Sequence, residues 1–327
     1  MADYRRICSA VVTVLIGIVV LGDAFSSDIF PFPGEGCTVR HFFQGSRHEV
    51  LVHVIRGAEE GPVVLIIGGI HGDEPASHMA ADKYTQVSLA KGSLVIVPRL
   101  NRPAVVAGTR EGRTGDMNRL FHLPETKLEA SDRGVVSLAK LLIAQSDYVV
   151  NLHQGSGFYD PSWISQNRNP SRWGQSYVID TSVIRSKSGE RLDLLGFAMS
   201  AAQRSNATIG SPNFRFHVRN TGSERDRLVG KEQHKSLTFF AVSKASKIAL
   251  GVEATKSCSQ AQAVALLATA TDSVLREAGL VLKQFPSEQA DLVEQVRARV
   301  ALSPGARLAA LGRRAVVVSS VPGRPNR

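Results

Sequence analysis

Four side chains able to bind a metal or move a proton stand where apolar runs end. His71 and Glu74 lie in "GGIHGDEPA" (68–76), directly after "PVVLII"; His153 follows "DYVVNL"; Glu253 follows "KIALGV". Short β-branched runs that stop at Gly or polar residues read as buried strands. In open α/β sheets ligands bind beyond the carboxyl ends of strands, so side chains at three such ends are candidates for one site. Singly, each has a plain structural explanation as a hydrogen-bonded strand-end residue. As a set they have the composition of a catalytic zinc centre, in which two His and one carboxylate hold three positions and leave a fourth open. Zinc so held lowers the pKa of bound water to about 7. A separate carboxylate must then take the proton and deliver it to a leaving amine, and Glu253 is free for that role. The expectation is one zinc per chain on His71, Glu74 and His153, with Glu253 as general base.

The elements that must position these residues are legible as an alternation. Strand-like runs "VVLIIGG", "SLVIVPRLN", "DYVVNLHQG" and "KIALGVEAT" are interleaved with helical patterns "EPASHMAADKYTQ", "RGVVSLAKLLIAQ", "LDLLGFAMSAAQRS" and "QAQAVALLATATDSVLREAGL". This predicts an α/β fold, a mixed but mainly parallel central sheet with helices on both faces. Two long connections, "NRPAVVAGTREGRTGDMNRLFHLPETK" and "GSGFYDPSWISQNRNPSRWGQ", are of the length that usually serves function. The expected domains are a signal peptide at 1–26, a catalytic domain at 27–280 and a short C-terminal extension at 281–327.

Arg5 and Arg6, an apolar stretch from about Ile7 to Leu21 and then small residues form the pattern of a secretory signal, with Ala24 or Ser26 at the cleavage point. The expected location is therefore the periplasm, with contact to the membrane only through this segment if it is uncleaved. Export would leave Cys37 and Cys258 in an oxidising compartment, where a disulfide between them is expected. The chain has 327 residues, 43% hydrophobic, and a net charge of +10 spread without a long basic run. No aromatic-plus-basic module accompanies that charge, so nucleic acid is not the expected partner. A carboxylate-rich partner suits it better.

The ordered set "HGDE", "GDMNRLF" and "NLHQG" resembles the zinc carboxypeptidase clan, which includes succinylglutamate desuccinylase and aspartoacylase. The resemblance implies zinc on His71, Glu74 and His153, the substrate carboxylate on Asn118 and Arg119, and Glu253 as base. "NLHQGSGFYDPSWISQNRNPSRWGQSYVID" is similar, more narrowly, to the murein tripeptide carboxypeptidases that determine helical or curved cell shape. For those the implied reaction is removal of terminal meso-diaminopimelate from the peptidoglycan tripeptide. Some members carry Gln in place of the first zinc His, whereas this chain keeps His71, and members carry further C-terminal β domains. A planar guanidinium pairs well with a terminal carboxylate, which suits Arg119. An oxyanion also needs a cation; Arg113 is a candidate, Arg110 in the same loop is another, and the sequence does not choose between them. Trp173 is a candidate for the wall of the side-chain pocket. Two other readings stand beside the peptidase: a zinc amidohydrolase acting on N-acyl amino acids, and an inactive peptidoglycan-binding scaffold.

Overall fold

The computed structural model describes residues 35–186, 188–223, 231–283 and 286. The segment expected to be a signal peptide, 1–26, and nearly all of the expected C-terminal extension lie outside the described residues. A nine-stranded sheet organises the rest. Its strands are β1 (Gly36–Phe42), β2 (Val50–Arg56), β3 (Glu59–Ile67), β4 (Leu89–Val97), β5 (Tyr148–Gly155), β6 (Ser176–Ile179), β7 (His217–Asn220), β8 (Ile248–Thr255) and β9 (Val281–Leu282). The order is β1-β2-β4-β3-β5-β8-β6-β7, with β9 beside β4. The central run β4-β3-β5-β8 is parallel, and both flanks turn antiparallel where β2 meets β4 and β8 meets β6. The mixed, mainly parallel α/β sheet is as expected. Strand β9 extends it just past the boundary anticipated at 280.

The four central strands are the four apolar runs of the sequence. Val64 to Ile67, Leu94 to Val97, and Val150 and Leu152 are buried to within 0% exposure, because helices cover both faces of the sheet. The covering helices are α1 (Pro75–Asp82), α2 (Arg102–Ala107), α3 (Ala130–Ala144), α4 (Leu194–Thr208), α5 (Leu237–Ser243) and α6 (Gln260–Glu277). Helices α1, α4 and α6 pack as one group, and α3 packs on α5. Local chemistry sets their ends. The Ser259 hydroxyl accepts from the Gln262 N–H at the start of α6, and Asn101 accepts from Ala104 at the start of α2. Gly108, at φ 65°, closes α2 in the left-handed conformation. Helix α2 breaks up what the sequence presents as one long loop, since Pro103 sits in its first turn, where the missing N–H costs nothing. Among the described residues no helix is long and apolar enough to cross a membrane.

The expected disulfide is not formed. Cys37 lies at the start of edge strand β1, whereas Cys258 follows the carboxyl end of β8 and donates its thiol to the Thr255 carbonyl at 3.4 Å. Five strand steps separate β1 from β8 in the sheet, roughly 24 Å at ~4.8 Å per step. A disulfide needs Cα atoms within about 7 Å. Peptide mapping of unreduced protein is therefore expected to show no Cys37–Cys258 linkage, and a cross-linked peptide would contradict the strand order.

Candidate active site

The loop from β3 to α1 carries the first two site residues, and its glycines explain its shape. Gly69 adopts φ 62°, a conformation that costs other residues strain. At Gly72 a Cβ would collide with the Ala104 carbonyl, so α2 can approach only a glycine. The Gly69 N–H donates to the Ser77 hydroxyl at 3.1 Å, and that hydroxyl donates to the Glu74 carbonyl at 2.6 Å. Gln154 accepts from the Ala76 N–H at 2.8 Å, tying the loop to the end of β5. The Tyr84 hydroxyl then anchors α1 to Asp272 of α6 at 2.5 Å.

His71, Glu74 and His153 converge in this frame, at 2%, 2% and 5% exposure. The Nδ1 atoms of both imidazoles lie 2.9 Å from the Glu74 carboxylate, His71 from Oε1 and His153 from Oε2. One ligand atom from each residue lies within 4.8 Å of the others. Two imidazole nitrogens and a carboxylate, buried and facing each other, fit a zinc-type divalent ion and leave room for a further ligand. The remaining His71 nitrogen, Nε2, lies 3.0 Å from Asp116 Oδ1. A carboxylate behind a ligating histidine fixes the ring and its tautomer, leaving the Nδ1 lone pair toward the ion. The Gln154 N–H and the Arg110 guanidinium also donate to Glu74, at 3.0 and 3.1 Å.

The charges are strongly linked. Burial opposes the imidazolium of His71, but hydrogen bonds to Asp116 and Glu74 outweigh it and push its pKa to about 9. Burial also opposes the charge on Glu74 and Asp116; contact with His153 and His71 for the former, and with His71 for the latter, nonetheless holds each carboxyl well below the usual range. A metal must displace protons from these rings, so loading weakens as pH falls. Asp116→Asn keeps the shape and removes the charge. It is expected to weaken zinc affinity by about 10–100-fold, measured by competition with a chelating dye. Unchanged affinity would remove Asp116 from the support of the site.

Strand β8 runs beside β5 with Glu253 opposite His153, so adjacent strands aim both at one cavity. The cavity has a volume of about 330 Å³ and is also lined by Asn118, Arg119, Arg110 and Trp173. Burial raises the Glu253 pKa, His153 offsets part of this and the Glu74 charge adds to it, leaving it at about 7. Asn118 is fixed by the Leu237 N–H, which donates to its Oδ1 at 3.0 Å. Among the described residues Arg119 reaches the exposed Glu232, at 3.8 Å, and its neighbour's carbonyl, at 3.2 Å, and its guanidinium lines the cavity. The guanidinium of buried Arg219 lies over the Trp173 ring, 3.9 Å from its centroid, a cation–π contact that backs the Trp173 wall.

Arg113 stands apart: it is exposed and does not line the cavity. Arg110 does, bridging Glu74 and Asp116. The 3-10 turn Met117–Arg119 follows Arg113 by a left-handed glycine, Gly115, and this reversal leaves Arg113 outside. Asp116 and Gln154 are site residues that the sequence reading did not single out. Their signal was position alone, inside "GDMNRLF" and next to His153.

Fold and site together define an α/β protein with a buried candidate metal centre, His71, Glu74 and His153, beside a further carboxylate in one cavity. A family model described as the catalytic region of carboxypeptidases controlling helical cell shape matches residues 42–291, and the chain belongs to that family. It is similar to the mDAP-bound form of Helicobacter pylori Csd4, a D,L-carboxypeptidase, with 32% identity and a TM-score of 0.62 over 68% of this chain and 52% of that one. The tripeptide-bound form of the same protein gives 31% identity and a TM-score of 0.62, over 72% and 56%. This chain thus spans little more than half the length of those structures. A succinylglutamate desuccinylase/aspartoacylase from Rhodobacter sphaeroides shares the fold at 18% identity and a TM-score of 0.54. An N-alpha-acetyl-L-2,4-diaminobutyric acid deacetylase from Halomonas elongata is 33% identical over 106 residues, 31% of each chain.

Proposed function

We propose that this protein is an exported zinc D,L-carboxypeptidase of the periplasm that removes terminal meso-diaminopimelate from peptidoglycan tripeptide stems and so influences cell shape. One observation carries the reading. The His71–Glu74–His153 cluster, a carboxylate at the end of β8 and a carboxylate-binding Asn118–Arg119 pair line the same cavity. The mDAP and tripeptide bound to the similar Csd4 structures support the substrate class.

His71, Glu74 and His153 would hold a zinc ion, which would supply a Lewis acid for the scissile carbonyl and acidify water. The chain's own residues do the rest. Arg119 and Asn118 seize the terminal carboxylate, which fixes the scissile amide relative to Glu253. Glu253 takes a proton from the attacking water and passes it to the amine as the C–N bond breaks. Arg110 places positive charge where the carbonyl oxygen becomes negative. Its own charge is secure, because the Asp116 and Glu74 carboxylates outweigh the effect of burial and raise its pKa.

A second reading, hydrolysis of N-acyl amino acids, is favoured by the likeness to the diaminobutyrate deacetylase. Digestion of muropeptides followed by mass spectrometry separates the two. The expected result is loss of one diaminopimelate from tripeptide to give dipeptide. Turnover of N-acyl amino acids alone would support the second reading. Bound metal without any turnover would leave a scaffold.

A further inference from the structure

Gln175 is fully buried and adopts φ 59°, in the turn that leads from Trp173 into β6. The left-handed region suits glycine and strains a longer side chain. Such strain persists only where the surrounding structure imposes it, and it clusters at functional sites. The side chain explains why glutamine stands here. Its Oε1 accepts from the Thr255 N–H at 3.0 Å, and its Nε2 donates to the Phe214 carbonyl at 2.6 Å. Thr255 ends β8, two residues beyond Glu253. The ladder between β8 and β6 stops at the pair Glu253 and Ser176, because β6 begins there. The Lys256 N–H bonds the Gly155 carbonyl on the β5 side, so the Thr255 N–H turns to the side from which β6 is now missing. A buried N–H needs a partner, and the Gln175 amide supplies the bond that the ladder has lost. The same residue bends the chain away from β8. Gly174 packs so closely on Thr255 and the Gly157 carbonyl that a Cβ there would collide with both. The Trp173 N–H then donates to the Ser156 carbonyl at 3.2 Å, and Trp173 reaches the cavity wall.

We propose that Gln175 is a positioning residue for the reaction: its amide fixes the end of the strand that carries Glu253, and its backbone conformation sets Trp173 against the cavity. Gln175 does not itself line the cavity and acts through these two neighbours. An apolar side chain of the same length would keep the bulk but leave the Thr255 N–H and the Phe214 carbonyl unpaired, freeing the end of β8 to shift. A reacting group misplaced by about 1 Å can cost on the order of 10²-fold in rate. The assignment rests on the peptidase reading above, in which Glu253 is the base, and adds the residue that holds that base in place.

The test is kcat and KM on the tripeptide for Gln175→Met and Gln175→Gly, each made alone and together with Glu253→Gln, with zinc content and melting temperature recorded on each preparation. Met keeps the bulk without either hydrogen bond. Gly adopts the left-handed conformation freely, so it removes the amide while relieving the backbone, and it carries the test if the Met variant does not fold. Both single variants are expected to keep their zinc and to lose about 10–100-fold in kcat, with a smaller change in KM. In the Glu253→Gln background the same substitutions are expected to change kcat by less than about 3-fold, because residues that act through one another do not add. A merely structural residue would give the same fold-loss in both backgrounds, or lose zinc together with activity. Either result, or an unchanged kcat in Gln175→Gly, overturns the assignment. Wild-type protein that is zinc-loaded but leaves the tripeptide uncut overturns the peptidase reading itself, and the assignment with it.

Discussion

Glu253→Gln is expected to fold, keep its zinc, still bind the tripeptide and turn over at least about 10²-fold more slowly, the usual effect of losing a general base. The reason is geometric. The metal-ligand set is complete without Glu253, which sits on a neighbouring strand opposite His153 and faces the same cavity. Its pKa also gives the sign of a pH effect. The base works only when ionised, burial raises its pKa to about 7 in the metal-free protein, and a bound cation lowers it. Activity should therefore rise with pH along an acid limb centred at or below about 7, and that limb should vanish in the Gln variant. If Glu253 were only a strand-end residue held by local contacts, the variant would lose melting temperature while turnover per folded molecule stayed near wild type. Zinc content, melting temperature and turnover on one preparation decide between these outcomes.

His153→Ala should abolish both metal content and activity. His153 supplies an imidazole nitrogen 2.9 Å from Glu74 Oε2, on the strand at the centre of the sheet. Removing it leaves two protein ligands, Glu74 with one neutral backbone donor on that oxygen, and a buried gap. The loss of affinity should exceed the roughly 10–100-fold expected for losing a supporting carboxylate such as Asp116. Metal analysis after dialysis is the check, with Glu253→Gln as the folded comparison. Stoichiometric zinc in the His153 variant would mean that the ion sits elsewhere. Arg119→Ala, by contrast, should keep its zinc and chiefly raise KM, since the lost contact is to the substrate carboxylate.

The sequence by itself determined the central strands and the residues at their ends. An apolar run of about 4 to 8 residues is read as a buried strand from its shortness, its β-branched residues and the Gly or polar residues that close it. A polar side chain at its carboxyl end is then placed by the alternation of the fold, so His71, Glu74, His153 and Glu253 could be gathered before any coordinates. The four long helices were legible for a similar reason, as apolar residues recurring at helical spacing. The antiparallel strands β1 and β2 and the short strands β6 and β7 were not. Edge and short strands carry weak periodicity, and their pairing depends on which neighbours the sheet supplies. Only tertiary structure chose Arg110 over Arg113, because a glycine-assisted reversal within a few residues decides which guanidinium turns inward. Only the strand order set Cys37 and Cys258 five strands apart, since redox compartment fixes whether a disulfide persists but not whether two cysteines meet. Only tertiary contacts set Asp116 behind His71 and Asn151 beside the bare backbone of Gly251. Each owes its place to contacts between segments 45 and 100 residues apart, and no local pattern in the chain carries that information.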